Sequence, residues 1–279
     1  MSNRAYYSRR TGQNPEVIRL DLPRFKDLFL AVYQDFDDKG YFVAAFGQAC
    51  QDEGWIQGHA GKDVERFMFQ KTRKKNLWPI SDNVGHYSEE DLFDVIEFLF
   101  DHVAEPQKTS SHGYDNACTH YGEFDQTAGR SRFHENINPL LNDYATGFEM
   151  SPDGEILSRD RGYETLLDAK MPRSTDSKNV AERVEEAVRK FRRHNASRTD
   201  KREAVRLLAD VLEFQRPELK RILTSKDEAD LFNIANNFGI RHHNSKQKTN
   251  YNQDVWLRWM FYFYLSTVHA TERLLKTRI

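Results

Sequence analysis

The stretch DVWLRWMFYFYLSTVHATERLL, Asp254 to Leu275, decides how the second half of this chain folds. Its apolar run, Met260 to Ala270, is shorter than the roughly 20 residues that cross a bilayer, and Arg258 and Glu272 bracket it closely. The segment therefore reads as a core helix, nearly apolar all round, and such a helix needs partners on several sides. Upstream, Val180, Val184, Ala187, Val188 and Phe191 form one helical stripe. Ala204, Leu207, Leu208, Val211, Leu212 and Phe214 form a second, with Thr199 as the expected cap and Pro217 at an expected kink. SKDEADLFNIANNFGI, from Ser225, is a third, with Ser225 as cap and Glu228 at the capping-box position. Four consecutive helices of this kind predict a helical bundle, in which Trp256, Trp259, Phe263 and Val268 are expected to face Leu208, Val211 and Leu231.

Working outward, KMPRSTDSKN (170–179) has the composition of a loop, which sets the expected domains at 1–172 and 173–279. The first half is also mostly helical. Pro23 opens a helix whose stripe is Phe25, Leu28, Phe29, Val32, Tyr33 and Phe36. YFVAAFGQACQDEG (41–54) and KDVERFMFQKTRKK (62–75) read as two short helices. SEEDLFDVIEFLFDHVAEP (88–106) is the clearest, with Ser88 as cap, acids in the first turn and Pro106 marking its end. A Pro-Asp-Gly turn between GFEM and EILS predicts a small hairpin near 147–158, followed by helical pattern around Tyr163 to Ala169. The expected fold class is mainly α: a helical N-terminal unit with a small β-hairpin and a C-terminal four-helix bundle.

Composition narrows the function. Lys and Arg number 41 against 43 Asp and Glu, a formal charge of -2, so any nucleic-acid site must be a local patch rather than a global field. Aromatics at 13% supply large units of burial. Two cysteines cannot build a disulfide framework, and MSNRAYYSRR has no apolar signal region, so a cytoplasmic protein away from membranes is expected.

FNIANNFGIRHHNSKQKTNY, Phe232 to Tyr251, places Arg241, His242, His243, Asn244, Lys246 and Lys248 after the third bundle helix. Guanidinium matches phosphate geometry and imidazole titrates near neutral pH, a pairing that suits metal-independent RNA cleavage by the 2′-hydroxyl. A basic cluster that offsets a helix dipole and solvates a loop accounts for the same residues.

LFNIANNFGIRHHN together with WLRWMFYFYLSTVHA resembles the HEPN superfamily, which includes abortive-infection and toxin RNases of prokaryotes; the likeness covers about the last hundred residues. The family motif is Arg, then four to six residues of which the first is polar, then His. Arg241 and His242 fit its first half, whereas Lys246, Gln247 and Lys248 stand where the His belongs. YYSRRTGQNP and LFDVIEFLFDHV carry a fainter likeness to the amino-terminal domains of abortive-infection proteins. The resemblance implies a phage-defence protein that cleaves RNA as a homodimer without a cofactor. Arg241 would hold the scissile phosphate and His242 or His243 would move the proton. Asn244 would orient that imidazole, and Lys246 and Lys248 would hold flanking phosphates. The alternative is a catalytically silent module that binds RNA, a partner protein or an antitoxin.

Other clusters are less specific. HGYDNACTHYGEF puts His112, Cys118 and His120 in one polar loop, with His102 upstream, and a metal-dependent enzyme would draw on them. The spacing matches neither CxxC nor HExxH, and with only two cysteines scattered residues are the favoured reading over a metal site. KTRKK (71–75) beside Trp78 could grip a phosphate backbone while the indole stacks on a base, or simply end a helix in solvent; together with RKFRRHN (189–195) it would make a two-sided basic surface if the fold brings the two runs together. SPDGE reads as a hairpin turn, and Glu89 and Glu90 read as first-turn dipole partners. The chain carries no P-loop, dinucleotide fingerprint or serine elbow.

Overall fold

In the computed structural model the described residues are 7–11, 19–112, 118–160, 162–167, 169, 178–221, 223–238, 240 and 251–276. They are mainly helical, with small two-stranded sheets, in two compact units, Met1–Ile156 and Leu157–Ile279.

The first unit runs α1 (Tyr7–Arg10), α2 (Leu22–Asp38), α3 (Val43–Phe46), β1 (Gln48–Cys50), β2 (Gly54–Ile56), α4 (Val64–Thr72), α5 (Ile80–Asn83), α6 (Glu89–His102), β3 (Glu105–His112), β4 (Cys118–Asp125), α7 (Gln126–Asp143) and β5 (Phe148–Met150). The Asp21 side chain caps α2, and Phe25, Phe29, Tyr33 and Phe36 of its expected stripe are buried, while Leu28 is exposed. Ser88 and Asp91 form a reciprocal capping box on α6. The core is built of rings: Phe133 meets Phe36 and Phe42 edge-on, and Phe25 stacks on Tyr144 at 4.7 Å.

The short helix expected over 41–54 ends at Phe46, and two strands follow. Gly47 takes φ 84, and a Cβ there would lie 2.2 Å from the Ile56 carbonyl oxygen, so the helix stops where β2 closes against it. His112, Cys118 and His120, expected in a polar loop, belong instead to the β3–β4 ladder, with Ser110 paired to His120 and His112 to Cys118. Pro106 lies inside β3, four residues past the end of α6. Helix α7 had no sequence expectation: Gly129 and Pro139 interrupt its pattern, yet Phe133, Ile137 and Leu141 are fully buried.

The second unit begins inside β6 (Ile156–Ser158) and continues through α8 (Glu164–Leu167), α9 (Ala181–Arg192), α10 (Arg198–Phe214), α11 (Arg216–Leu219), α12 (Ser225–Asn237) and α13 (Gln253–Lys276). Residues 157–160, expected in the first domain, are tied to the second: Leu157 bridges Arg193, and Asp160 accepts from the Tyr262 hydroxyl. The cap of α10 is Ser197, boxed with Asp200, rather than Thr199. Thr224 accepts the Asp227 amide at the start of α12, which leaves Glu228 to pair with Arg216.

Helix α13 presents a different face to the core from the one expected. Leu257, Met260, Phe261, Tyr264, Leu265 and Val268 are buried, whereas Trp256 and Trp259 are 40% and 42% exposed. Leu257, Phe261, Tyr264 and Val268 follow three- and four-residue spacing, and the tryptophans fall on the flank of that stripe. No described helix is long and apolar enough to cross a membrane.

Candidate phosphate-binding site

In the second unit, the end of β6, the last turn of α9 and the first turns of α10 and α13 enclose a cavity of about 560 Å³. Arg159, Arg192, Arg193, Lys201 and Arg258 line it against two carboxylates, Asp160 and Asp254, an excess of three positive charges among the described lining. Local structure explains the convergence. α9 ends in Arg189, Lys190 and Arg192, where cations offset the helix dipole, and the Leu157–Arg193 bridge draws Ser158, Arg159 and Asp160 alongside.

Several groups are held in place. Arg192, 7% exposed, donates through Nε to the Ser158 carbonyl at 3.1 Å. Asp160 pairs with Arg258 at 2.5 Å, and Arg258 also lies over the Tyr163 ring, which stacks on Tyr262 at 3.7 Å. Burial first, then the hydrogen bond to Asp160, raises the Tyr262 pKa well above its ordinary value, so its hydroxyl stays protonated. Arg198 grips Asp254 with two bonds, at 2.8 and 3.2 Å, and the Arg198 side chain holds that carboxyl below its usual range. Arg193 and Lys201 also line the cavity, and each lies near enough to a carboxylate to help lower its pKa, Arg193 to Asp200 and Lys201 to Asp254. Guanidinium and ammonium groups with some positions fixed by carboxylates suit an oxyanion such as phosphate. Among the described residues the charged lining is guanidinium, ammonium and carboxylate.

Four residues of the basic run at 189–195, namely Phe191, Arg192, Arg193 and Asn195, line this cavity. Arg159, Asp160 and Arg258 were not singled out by sequence reasoning, since they come from segments about a hundred residues apart. The other basic run has a different fate. Lys74 pairs with Asp91 at 3.0 Å and Asp94 at 2.7 Å, and Trp78 packs edge-on against Phe46 at 5.0 Å, so neither is arranged to stack on a base.

Arg241, His242, His243, Asn244, Lys246 and Lys248 lie outside the described residues. The residues that flank them meet: the Tyr251 hydroxyl donates to the Phe238 carbonyl at 3.2 Å, and the Phe238 ring packs on Tyr251 and Trp256. In the first unit, Cys118 and His120 come together with Cys50, while the side chain of His112 is outside the described set. His102 instead pairs with His59 at 3.1 Å, among Phe46, Phe67 and Phe98.

Compared with known proteins, the chain has no match among family models, curated proteins or solved structures.

Proposed function

We propose that the second unit is a HEPN-like RNA-binding module of a prokaryotic abortive-infection protein, with the basic cavity as a seat for the phosphate backbone. The single observation that carries this reading is the convergence of Arg159, Arg192, Arg193, Lys201 and Arg258 on one cavity. The likeness of 232–270 to HEPN bundles supplies the class of ligand. Metal-independent cleavage extends the same reading: Arg241 holds the scissile phosphate and His242 or His243 moves the 2′-hydroxyl proton. The chain pairs as a homodimer, and support comes from Trp256 and Trp259, exposed beside the flank of the motif at Phe238.

Two measurements test the proposal. Single-stranded RNA titrated into the full chain should bind with an affinity that falls steeply as salt rises, and binding indifferent to salt would reject the phosphate seat. Total RNA incubated with pure protein and EDTA should be degraded, and the Arg241→Ala form should lose that activity by a few orders of magnitude. Equal degradation by both forms would assign it to a contaminant.

A further inference from the structure

The chain has two cysteines, 68 positions apart, and the fold brings both to one point. Cys50 ends β1, Cys118 begins β4, and the Gln48 amide group donates to the Thr119 carbonyl at 2.8 Å, which sets β1 beside β4. His120 is two residues beyond Cys118 on the same strand, so both side chains leave one face. The Cys118 sulfur lies 3.4 Å from His120 Nε2, and the three potential ligand atoms are all within 4.8 Å of one another. Both cysteines are 6% exposed, and they are thiols in this structure.

We propose that Cys50, Cys118 and His120 bind one zinc ion, which clips the β1–β2 hairpin to the β3–β4 ladder. Zinc–sulfur bonds of about 2.3 Å and zinc–nitrogen bonds of about 2.0 Å place neighbouring tetrahedral ligands roughly 3.5 to 3.8 Å apart. The Cys118–His120 separation already has that length, and the other separations reach it with a shift of about 1 Å or less. Two sulfurs and one imidazole nitrogen are the soft donor set that zinc takes, whereas magnesium and calcium favour oxygen. The Gln51 backbone amide donates to the Cys118 sulfur and would steady the bound thiolate. Both thiols give up their protons to solvent as the zinc–sulfur bonds form, and the imidazole binds in its neutral form. The fourth position falls to water or to Asp52, whose carboxylate is near enough to act on Cys118 electrostatically. This clip belongs to the first unit and does not depend on RNA binding by the second.

The test uses untagged full-length protein, prepared under reductant, stripped with chelator and then titrated with zinc or cobalt. The expected result is about one metal per chain, a cobalt spectrum with sulfur charge-transfer bands and tetrahedral d–d bands, and a higher melting temperature on metal addition. Cys50→Ser and Cys118→Ser should each lower retained zinc to about a tenth or less, and His120→Asn should weaken binding while keeping the sulfur bands. Should a serine variant fail to fold, the cobalt spectrum of the parent decides. A parent without those bands, zinc retained by the Cys50→Ser/Cys118→Ser double variant, or a mass two hydrogens low from a Cys50–Cys118 disulfide would each overturn the proposal.

Discussion

KTRKK and RKFRRHN are two basic runs of similar composition at the ends of two helices, α4 and α9, and the fold treats them differently. In the first, Lys74 is committed to Asp91 and Asp94 on α6, and Lys71 extends over the Phe67 ring, so the run helps hold its own unit together. In the second, Arg192 and Arg193 join Arg159, just past β6, Lys201 of α10 and Arg258 of α13 around a cavity in which positive charge is in excess. A run of lysines and arginines becomes a binding site only when its neighbours leave charge uncompensated around a concave surface. That distinction rests on tertiary partners, which neither run announces.

The comparison can be sharpened through the two cores that support the runs. Phe133 in the first unit and Phe261 in the second are fully buried, and Phe261 stacks on Phe191 at 3.9 Å. Alanine at either position should cost about 3–5 kcal/mol in chemical denaturation, and a midpoint equal to the parent's would break the core assignment of that unit. Removing the caps should cost less: Ser88→Ala and Ser197→Ala each lose a reciprocal box, worth about 1 kcal/mol. Trp259→Ala should cost about the same, because the residue is 42% exposed, with its ring against Trp256 and Phe263. A loss near that of Phe261→Ala would return Trp259 to the core.

The smallest effect expected is a pH dependence confined to the first unit. Burial first, then the neighbouring His59, Lys71 and Arg130, depresses the His102 pKa from 6.5 to about 4. The folded state therefore refuses a proton that the unfolded chain accepts. The stabilisation is complete above about 6.5 and declines as pH falls toward about 4, with solvent screening keeping it modest. Thermal melts across that window should show the decline, and His102→Gln should flatten it. An unchanged slope would remove His102 as its source.

Local chemistry accounts for what was legible in the sequence. The stripe of α2, the Ser88 cap and the Pro-Asp-Gly hairpin depend on residues close in sequence; the cap and hairpin stand as expected and the stripe does apart from exposed Leu28, with the hairpin turn closed by the Ser151 amide donating to the Glu155 carbonyl. Thr199 and Ser225 missed the true caps by two residues and one, because several neighbouring side chains can cap and geometry chooses among them. α7 stayed hidden because its buried positions are few and a proline sits within it. The cluster of Cys50, Cys118 and His120 is half legible in the sequence: Cys118 and His120 are two residues apart, whereas Cys50 joins them through the fold. Arg159 and Arg258 gave no sequence signal, since a cavity wall assembled from distant segments has no local pattern.

The central claim is tested most directly by the salt dependence of RNA affinity in two paired variants. Arg193→Ala/Lys201→Ala removes two cavity cations, and Lys71→Ala/Lys75→Ala removes two from the other run. The cavity variant should bind more weakly, and its slope of log affinity against log salt should fall by about 1.4, or roughly 0.7 per lost phosphate contact on a single strand. The variant in the other run should keep the parent's affinity and slope. The reverse outcome, with the cavity variant unchanged and the Lys71/Lys75 variant weakened, would contradict the account.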